Sequence, residues 1–171
     1  METGVVVRTA VVDDVGAITD IYNATVATST VAWTEEPDSV ATRRAWFDAR
    51  RTAGHAVVVA TVDDVVVGFA AYGDFRDSTK WPGYRFTVEH TIHVADGHRG
   101  TGIGEALMNE LVARAASAGL HVMVGGIDAD NAGSIRFHRR LGFVEVARMP
   151  EVGFKFGRWL DLVLVQRTLV E

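Results

Sequence analysis

The segment His98-Arg99-Gly100-Thr101-Gly102-Ile103-Gly104 constrains this chain more than any other, because it stands between a β-branched run and a long helical stretch. Ile103, Leu107, Leu111 and Ala115 recur every four residues, the spacing of one helix face, and Gly119 is placed to end that helix as a C-cap. Glycines at a helix entry let the backbone approach a ligand, and the first turn presents free N–H groups at the positive end of the helix dipole. Such an entry suits a pyrophosphate, and Arg99 adds a charge-assisted contact. Two phosphate-loop patterns fail on spacing. A G-x-G-x-x-G fingerprint starting at Gly100 needs glycine where Glu105 stands, and no G-x-x-x-x-G-K-[ST] occurs. The pattern present is R-x-x-G-x-G.

The rest of the chain reads as a sheet with helices. Residues 4–10 suit a strand, and Val15, Ile18, Ile21 and Tyr22 follow Asp13-Asp14 at helical spacing. Thr25 to Pro37 reads as a loop, and Asp38 to Ala53 as a second helix capped at Asp38 or Ser39. His55–Val62 and Val65–Tyr72 form a hairpin turning at Asp63-Asp64, with Gly68 a bulge or a point of close approach. After an irregular stretch, Arg85–Val94 is a strand, His121–Ile127 another, and Asn131–Leu141 a short helix ended by Gly142. Two strands close the chain, around Phe143–Arg148 and Trp159–Leu169. The order β-α-α-β-β-β-α-β-α-β-β predicts an α/β (α+β) fold: one mixed, mostly antiparallel sheet of about seven strands with helices on both faces.

Composition narrows the function classes. The 171 residues are 48% apolar, enough for one substantial core, and no linker-like stretch divides them, so residues 1–171 read as a single domain. Seventeen basic and twenty-two acidic residues are interspersed, which offers nucleic acid no basic face. The absence of cysteine removes disulfides, thiolate zinc sites and thiol catalysis together. Met1-Glu2-Thr3-Gly4 has no leader pattern, and no apolar run approaches the ~20 residues of a membrane span. A soluble, cytoplasmic protein without membrane partners is expected.

The Arg99 loop is followed by a helix, a strand and an Asn-led helix, Asn131-Ala132-Gly133-Ser134-Ile135-Arg136-Phe137-His138. In this order the chain resembles the GNAT acetyltransferases, whose signature is [QR]-x-x-G-x-[GA] at that strand-to-helix junction. Narrower matches are Tyr84-Arg85-Phe86-Thr87-Val88-Glu89, Ser134-x-x-Phe137-His138, and Gly153-Phe154-Lys155-Phe156-Gly157-Arg158-Trp159-x-Asp161. With Thr30-Val31-Ala32-Trp33 and Glu36-Pro37 they resemble the phosphinothricin and methionine sulfoximine acetyltransferase group. The loop between Phe75-Arg76 and Tyr84 departs from that pattern, being longer by an insertion that includes Lys80 and Trp81.

The resemblance implies an N-acetyltransferase that carries the acetyl group of acetyl-CoA to the α-amino group of a small amino acid or analogue. Phosphinothricin, methionine sulfoximine and methionine sulfone are the acceptor types, with direct attack, general-base assistance, no metal and a homodimeric state. It also implies that the main chain of Ile92, His93 and Val94 meets the pantetheine arm and that Arg99, Gly100, Thr101, Gly102, Ile103 and Gly104 cradle the pyrophosphate. Asn131 either caps its helix or bonds the pantetheine, or both, and Ser134 belongs to the same cofactor set. Glu89 matches the group's proposed base; without the match it reads as an ion-pair partner of Arg85 or another cation on a solvated face. His138 falls where many members carry a tyrosine that protonates the sulfur, and a histidine can do so near neutral pH. It reads equally as a half-buried histidine satisfied by backbone bonds.

For the acceptor, Trp33, Phe75, Arg76, Tyr84 and Arg85 combine aromatic walls with cations suited to a carboxylate or phosphinate, and Thr87 and Val88 join them through the match. His90 and His93 are three apart in a strand and should face opposite ways, which argues against a shared metal. Two other functions compete. Peptide or protein N-terminal acetylation needs an open groove, whereas the Trp33 and Trp81 loops suggest a closed pocket. A non-catalytic acyl-CoA-binding module would have no use for Glu89 and His138.

Overall fold

Alternating apolar residues give strands whose two faces both need covering, and the chain covers them with two pairs of helices. The computed structural model describes residues 4–169, so the reading of Met1 to Thr3 lies outside the described residues. In chain order the elements are β1 (Val6–Thr9), α1 (Val15–Thr28), α2 (Val40–Thr52), β2 (Val57–Val62), β3 (Val65–Asp74), β4 (Thr87–Val94), α3 (Ile103–Ser117), β5 (Val122–Asp128), α4 (Ala132–Arg140), β6 (Val144–Lys155) and β7 (Arg158–Thr168). Short 3-10 turns at Val12–Asp14 and Pro82–Tyr84 lead into α1 and β4. The seven strands lie in the order β1-β2-β3-β4-β5-β7-β6, antiparallel throughout except for β4 beside β5. This is the mixed, mostly antiparallel sheet expected.

Local chemistry explains most boundaries. Asp63 and Asp64 take φ of 50° and 64°, the left-handed pair that closes a two-residue hairpin between β2 and β3. Ser39 caps α2 by accepting from the Thr42 N–H at 3.0 Å. Gly68 marks a close approach, since a Cβ there would lie 3.0 Å from the His93 carbonyl and 3.1 Å from Leu107. Two boundaries differ from expectation. Helix α1 runs to Thr28 because the hydroxyls of Thr25 and Thr28 donate back to the carbonyls of Ile21 and Ala24, which satisfies them inside the helix. Strand β6 continues past Arg148 to Lys155. Its Pro150 sits in a register irregularity on the outer strand of the sheet, where a missing donor is tolerated.

The core lies in two layers. Helix α3 buries Ile103, Leu107 and Leu111 against Val58, Met123 and Val163, while Ile18 of α1 and Phe47 of α2 pack on Val57, Val59 and Phe69 on the other side. Strand β4 distributes its residues between these layers. Val88, His90, Ile92 and Val94 face α3 and α4, so Thr87, Glu89, Thr91 and His93 face α1 and α2. Strands β4 and β5 pair only from Thr87–Val122 to Glu89–Val124 and then diverge. Beyond Glu89, β4 pairs with β3 alone. That divergence opens the site.

Candidate active site

A groove of about 900 Å³ follows the diverging strands to the start of α3. Gly100 and Gly102 have φ of 76° and 87°, and no described atom would stand within 4 Å of a Cβ at either, so backbone conformation rather than space calls for glycine there. Gly102 is the N-cap of α3, and the N–H groups of Ile103, Gly104 and Glu105 have no helical acceptor. Ile92, His93, Val94, Arg99, Gly100, Gly102, Gly104, Asn131 and Ser134 all line this groove. Thr101 and Ile103 do not bring their side chains to it. The Thr101 hydroxyl donates to the His98 carbonyl at 2.6 Å, and Ile103 is buried in the α3 core. Only their main chain is left for an anion.

Arg99 is half free: it pairs with Asp96 at 3.2 Å and stays 57% exposed. Asn131 caps α4 by accepting from the Ser134 N–H at 3.0 Å. Phe137 and Arg140 of α4 also line the groove, which sequence reasoning missed. The signal for Phe137 lay in Gly104, since a Cβ there would stand 3.3 Å from the Phe137 ring. Free N–H groups at a helix start with Arg99 and Arg140 beside them suit a diphosphate, and the open main chain of β4 suits an amide-bearing arm.

Glu89 lies across the sheet from α3, on the side of α1 and α2. Its side chain makes no hydrogen bond or ion pair with a described residue, and partial desolvation raises its pKa from the ordinary carboxylate value. The pair with Arg85 does not form. Arg85 donates to the Pro82 carbonyl at 2.9 Å and stacks over Phe86 at 4.4 Å. Beside the carboxylate is Gly126 of β5, where a Cβ would lie 3.5 Å from Glu89 Oε1 and 3.3 Å from Leu162. The small residue leaves room beside the carboxylate.

The acceptor residues gather around this face unequally. Phe75 and Tyr84 are 6.0 Å apart, with the Arg76 guanidinium over both rings at 5.4 and 5.8 Å. Thr87 shares the face of Glu89. The Val88 side chain does not: it is 1% exposed in the α3 core, which leaves its main chain alone to meet an acceptor. Trp81 is exposed with Lys80 over its ring. Trp33 donates to the Thr30 carbonyl at 2.9 Å and lies flat on Gly153 of β6, where any Cβ would fall inside its ring.

Two residues to which the sequence reading gave no role fix the Trp33 loop. Lys155 is 1% exposed and donates to the carbonyls of Val26, Ser29 and Ala32 at 2.8, 2.6 and 2.7 Å. Its positive charge thereby sits at the C-terminal end of α1, where the dipole favours a cation. Asp128, also buried, accepts from the Thr30 hydroxyl. Neither residue carries a sequence signal for this, because the carbonyls come from a distant segment.

His138 is 2% exposed and stacks on His90 beneath α4. The Ser134 carbonyl, 2.8 Å from Nδ1, can only accept, which assigns the proton to Nδ1 and leaves Nε2 to accept from His90 Nε2–H at 3.2 Å. His90 Nδ1 is then buried without a partner among the described residues. Desolvation pushes both pKa values down, that of His90 to about 3. In this geometry both ring nitrogens of His138 have partners within the protein. His93, on the opposite face from His90 as expected, donates from Nδ1 to Thr25 and accepts from the Thr91 hydroxyl. Among the described residues no cluster of His, Asp or Glu is arranged to hold a metal.

Comparison with known proteins gives matching likenesses. Residues 18–143 match the model of the acetyltransferase (GNAT) family. An L-methionine sulfoximine/L-methionine sulfone acetyltransferase of Pseudomonas paraeruginosa is 48% identical over 164 residues, 95% of this chain and 94% of that protein. An L-amino acid N-acyltransferase of Escherichia coli is 44% identical, covering 92% of this chain and 90% of its own length. The crystal structure of a GNAT superfamily phosphinothricin acetyltransferase from Sinorhizobium meliloti in complex with acetyl-CoA superposes with a TM-score of 0.91 at 38% identity, covering 96% of this chain and 88% of that one.

Proposed function

The chain belongs to the GNAT acetyltransferase family, and on that premise we propose that it transfers the acetyl group of acetyl-CoA to the α-amino group of a small amino acid or amino-acid analogue. Methionine sulfone, methionine sulfoximine and phosphinothricin are the acceptor types that the relatives' names support. The observation that carries the reading is Glu89, an unpaired carboxylate of raised proton affinity where β4 and β5 part. An α-ammonium group cannot attack a thioester until it loses a proton, and Glu89 is placed to accept it.

The remaining roles divide by face. The N-terminus of α3 with Arg99, Arg140 and the left-handed glycines holds the pyrophosphate of acetyl-CoA, and the main chain of Ile92, His93 and Val94 holds its pantetheine arm. Acetyl-CoA supplies the activated acetyl group. Arg76, Phe75, Tyr84, Thr87 and Trp33 surround the acceptor on the face of α1 and α2, with Arg85 at the rim. His138 holds His90 and packs α4 on the sheet; a thiolate leaving into an open groove takes its proton from water near neutral pH. Direct attack requires no covalent enzyme intermediate and no metal.

We further infer a single acetyltransferase domain over residues 1–171, a cytoplasmic location, and no nucleic-acid or membrane partner. No helix of the described residues is long and apolar enough to cross a membrane. A homodimer through the β6–β7 hairpin accounts for its exposed Met149, Val152, Phe154, Phe156 and Trp159 on the outermost strands. A peptide N-terminus fits less well, because the Trp33 loop is pinned down on β6. Coenzyme A release with free methionine sulfone, measured beside a panel of peptides, tests the reading. Turnover with the free amino acid supports it, and turnover with peptides alone overturns it.

A further inference from the structure

Arg50, on the last turn of α2, is a cation without a counterion. It makes no hydrogen bond or ion pair with a described side chain, and its Nε is buried without a partner. Its guanidinium lies 4.2 Å from the centre of the Trp46 ring on one side. On the other it occupies the space above Gly73, where a Cβ would stand 3.3 Å from Nη2. Gly73 pairs directly with Glu89 across the β3–β4 ladder. Both face α1 and α2, since Gly73 lies two residues beyond Ala71 and four beyond Phe69, which pack in that layer. Directly opposed residues have side chains roughly 5 Å apart. The guanidinium therefore projects over the immediate neighbour of the base.

Of the nearby cations Arg43 is paired with Asp38 at 2.5 Å, whereas Arg85 bonds the Pro82 carbonyl and Arg76 stacks on Phe75 and Tyr84. Arg50, stacked on Trp46, has no anionic partner among the described residues and differs from Arg76 and Arg85 in lying over the strand position that pairs with Glu89. Its pKa, lowered by desolvation and by Arg43 to about 10, leaves it charged at neutral pH. An amino acid carries a carboxylate one carbon from its ammonium group. A site that takes the ammonium at Glu89 needs a cation within that reach on the same face.

We propose that Arg50 binds the α-carboxylate of the acceptor and so sets its α-amino group against Glu89, which makes Arg50 a determinant of specificity for amino acids over simple amines. This rests on the acceptor class proposed above. Gly73 belongs to the same device: glycine there leaves the guanidinium room to lie over the ladder.

Two variants and two acceptors test it. Methionine sulfone and 3-(methylsulfonyl)propylamine differ only in the carboxylate. Arg50→Met should lower kcat/KM for methionine sulfone by about 10- to 100-fold, mostly through KM, as expected for loss of a charged hydrogen-bonding partner. The KM for acetyl-CoA and kcat/KM for the decarboxylated amine should stay within about twofold. Gly73→Ala keeps the charge and the Trp46 stack but displaces the guanidinium by tenths of an ångström, so it should show the same selective loss on a smaller scale and guards against a folding defect in the first variant. An equal loss with both acceptors, or none with methionine sulfone, overturns the proposal while leaving the acetyltransferase reading intact. Failure of the unmodified enzyme to acetylate methionine sulfone or any other free amino acid overturns both.

Discussion

Glu89 and His138 project from opposite faces of the sheet, Glu89 toward α1 and α2 and His138 into a buried stack with His90 beneath α4. A carboxylate on one face and a histidine with both ring nitrogens occupied on the other do not form an acid–base pair. On the proposed reading the acceptor and its proton are handled on the face of α1 and α2, while the α3 and α4 side carries the groove wall and the buried His90–His138 stack.

Replacing His138 should therefore weaken the fold more than the chemistry. His138→Gln removes the stack on His90 and Phe143 and should lower Tm by several degrees, while kcat stays within about threefold. Steady-state kinetics on folded enzyme check this. A loss of kcat beyond ~10²-fold together with loss of the basic limb of the pH profile would restore an acid role to His138.

The buried histidines make stability fall in mild acid. His90 and His93 have folded pKa values pushed down to about 3 and about 4 from an ordinary 6.5, and that of His138 is lowered too. Below pH 6.5 the unfolded chain binds protons that the folded chain refuses, so stability is full above that pH and declines as pH falls toward 4. Thermal melts at pH 7.5 and 5 should show a drop in Tm, smaller in His90→Gln. Equal drops in both proteins would place the acid sensitivity elsewhere.

Lys155 ties the Trp33 loop to β6, and Lys155→Met leaves the carbonyls of Val26, Ser29 and Ala32 without their donor. The expected cost is roughly 3 kcal/mol of stability, from loss of hydrogen bonds to a charged group. The KM for the acceptor should rise more than that for acetyl-CoA, because the loop carries Trp33 whereas only its Val31 reaches the groove at α3. Equal changes in both constants would mean that the loop does not form the acceptor pocket.

The groove at the start of α3 was legible from sequence because its signals are local. Arg99, Gly102 and Gly104 stand within one turn of the helix they introduce, and Gly73, Gly104 and Gly153 each mark where another chemical group comes close. The acceptor side was legible only in part. Arg50 is one arginine among several on α2, and what singles it out is the lack of a partner and the register that sets Gly73 opposite Glu89. Lys155 bonds carbonyls more than a hundred residues away. For Val88 and His138 the sequence does not say which face of a strand or helix the side chain takes, and both side chains turn into the α3 and α4 layer.

The role of Glu89 is tested most directly by the pH dependence of kcat/KM for methionine sulfone in the unmodified enzyme and in Glu89→Gln. Burial raises the Glu89 pKa, so the acid limb of the unmodified enzyme should lie above the usual carboxylate range. The variant keeps the shape, loses the proton acceptor, and should show kcat lower by ~10²–10⁴-fold, a flattened acid limb and unchanged affinity for acetyl-CoA. A variant retaining most of its kcat and the same acid limb would show that another group takes the ammonium proton, and would contradict the assignment of Glu89 as the base.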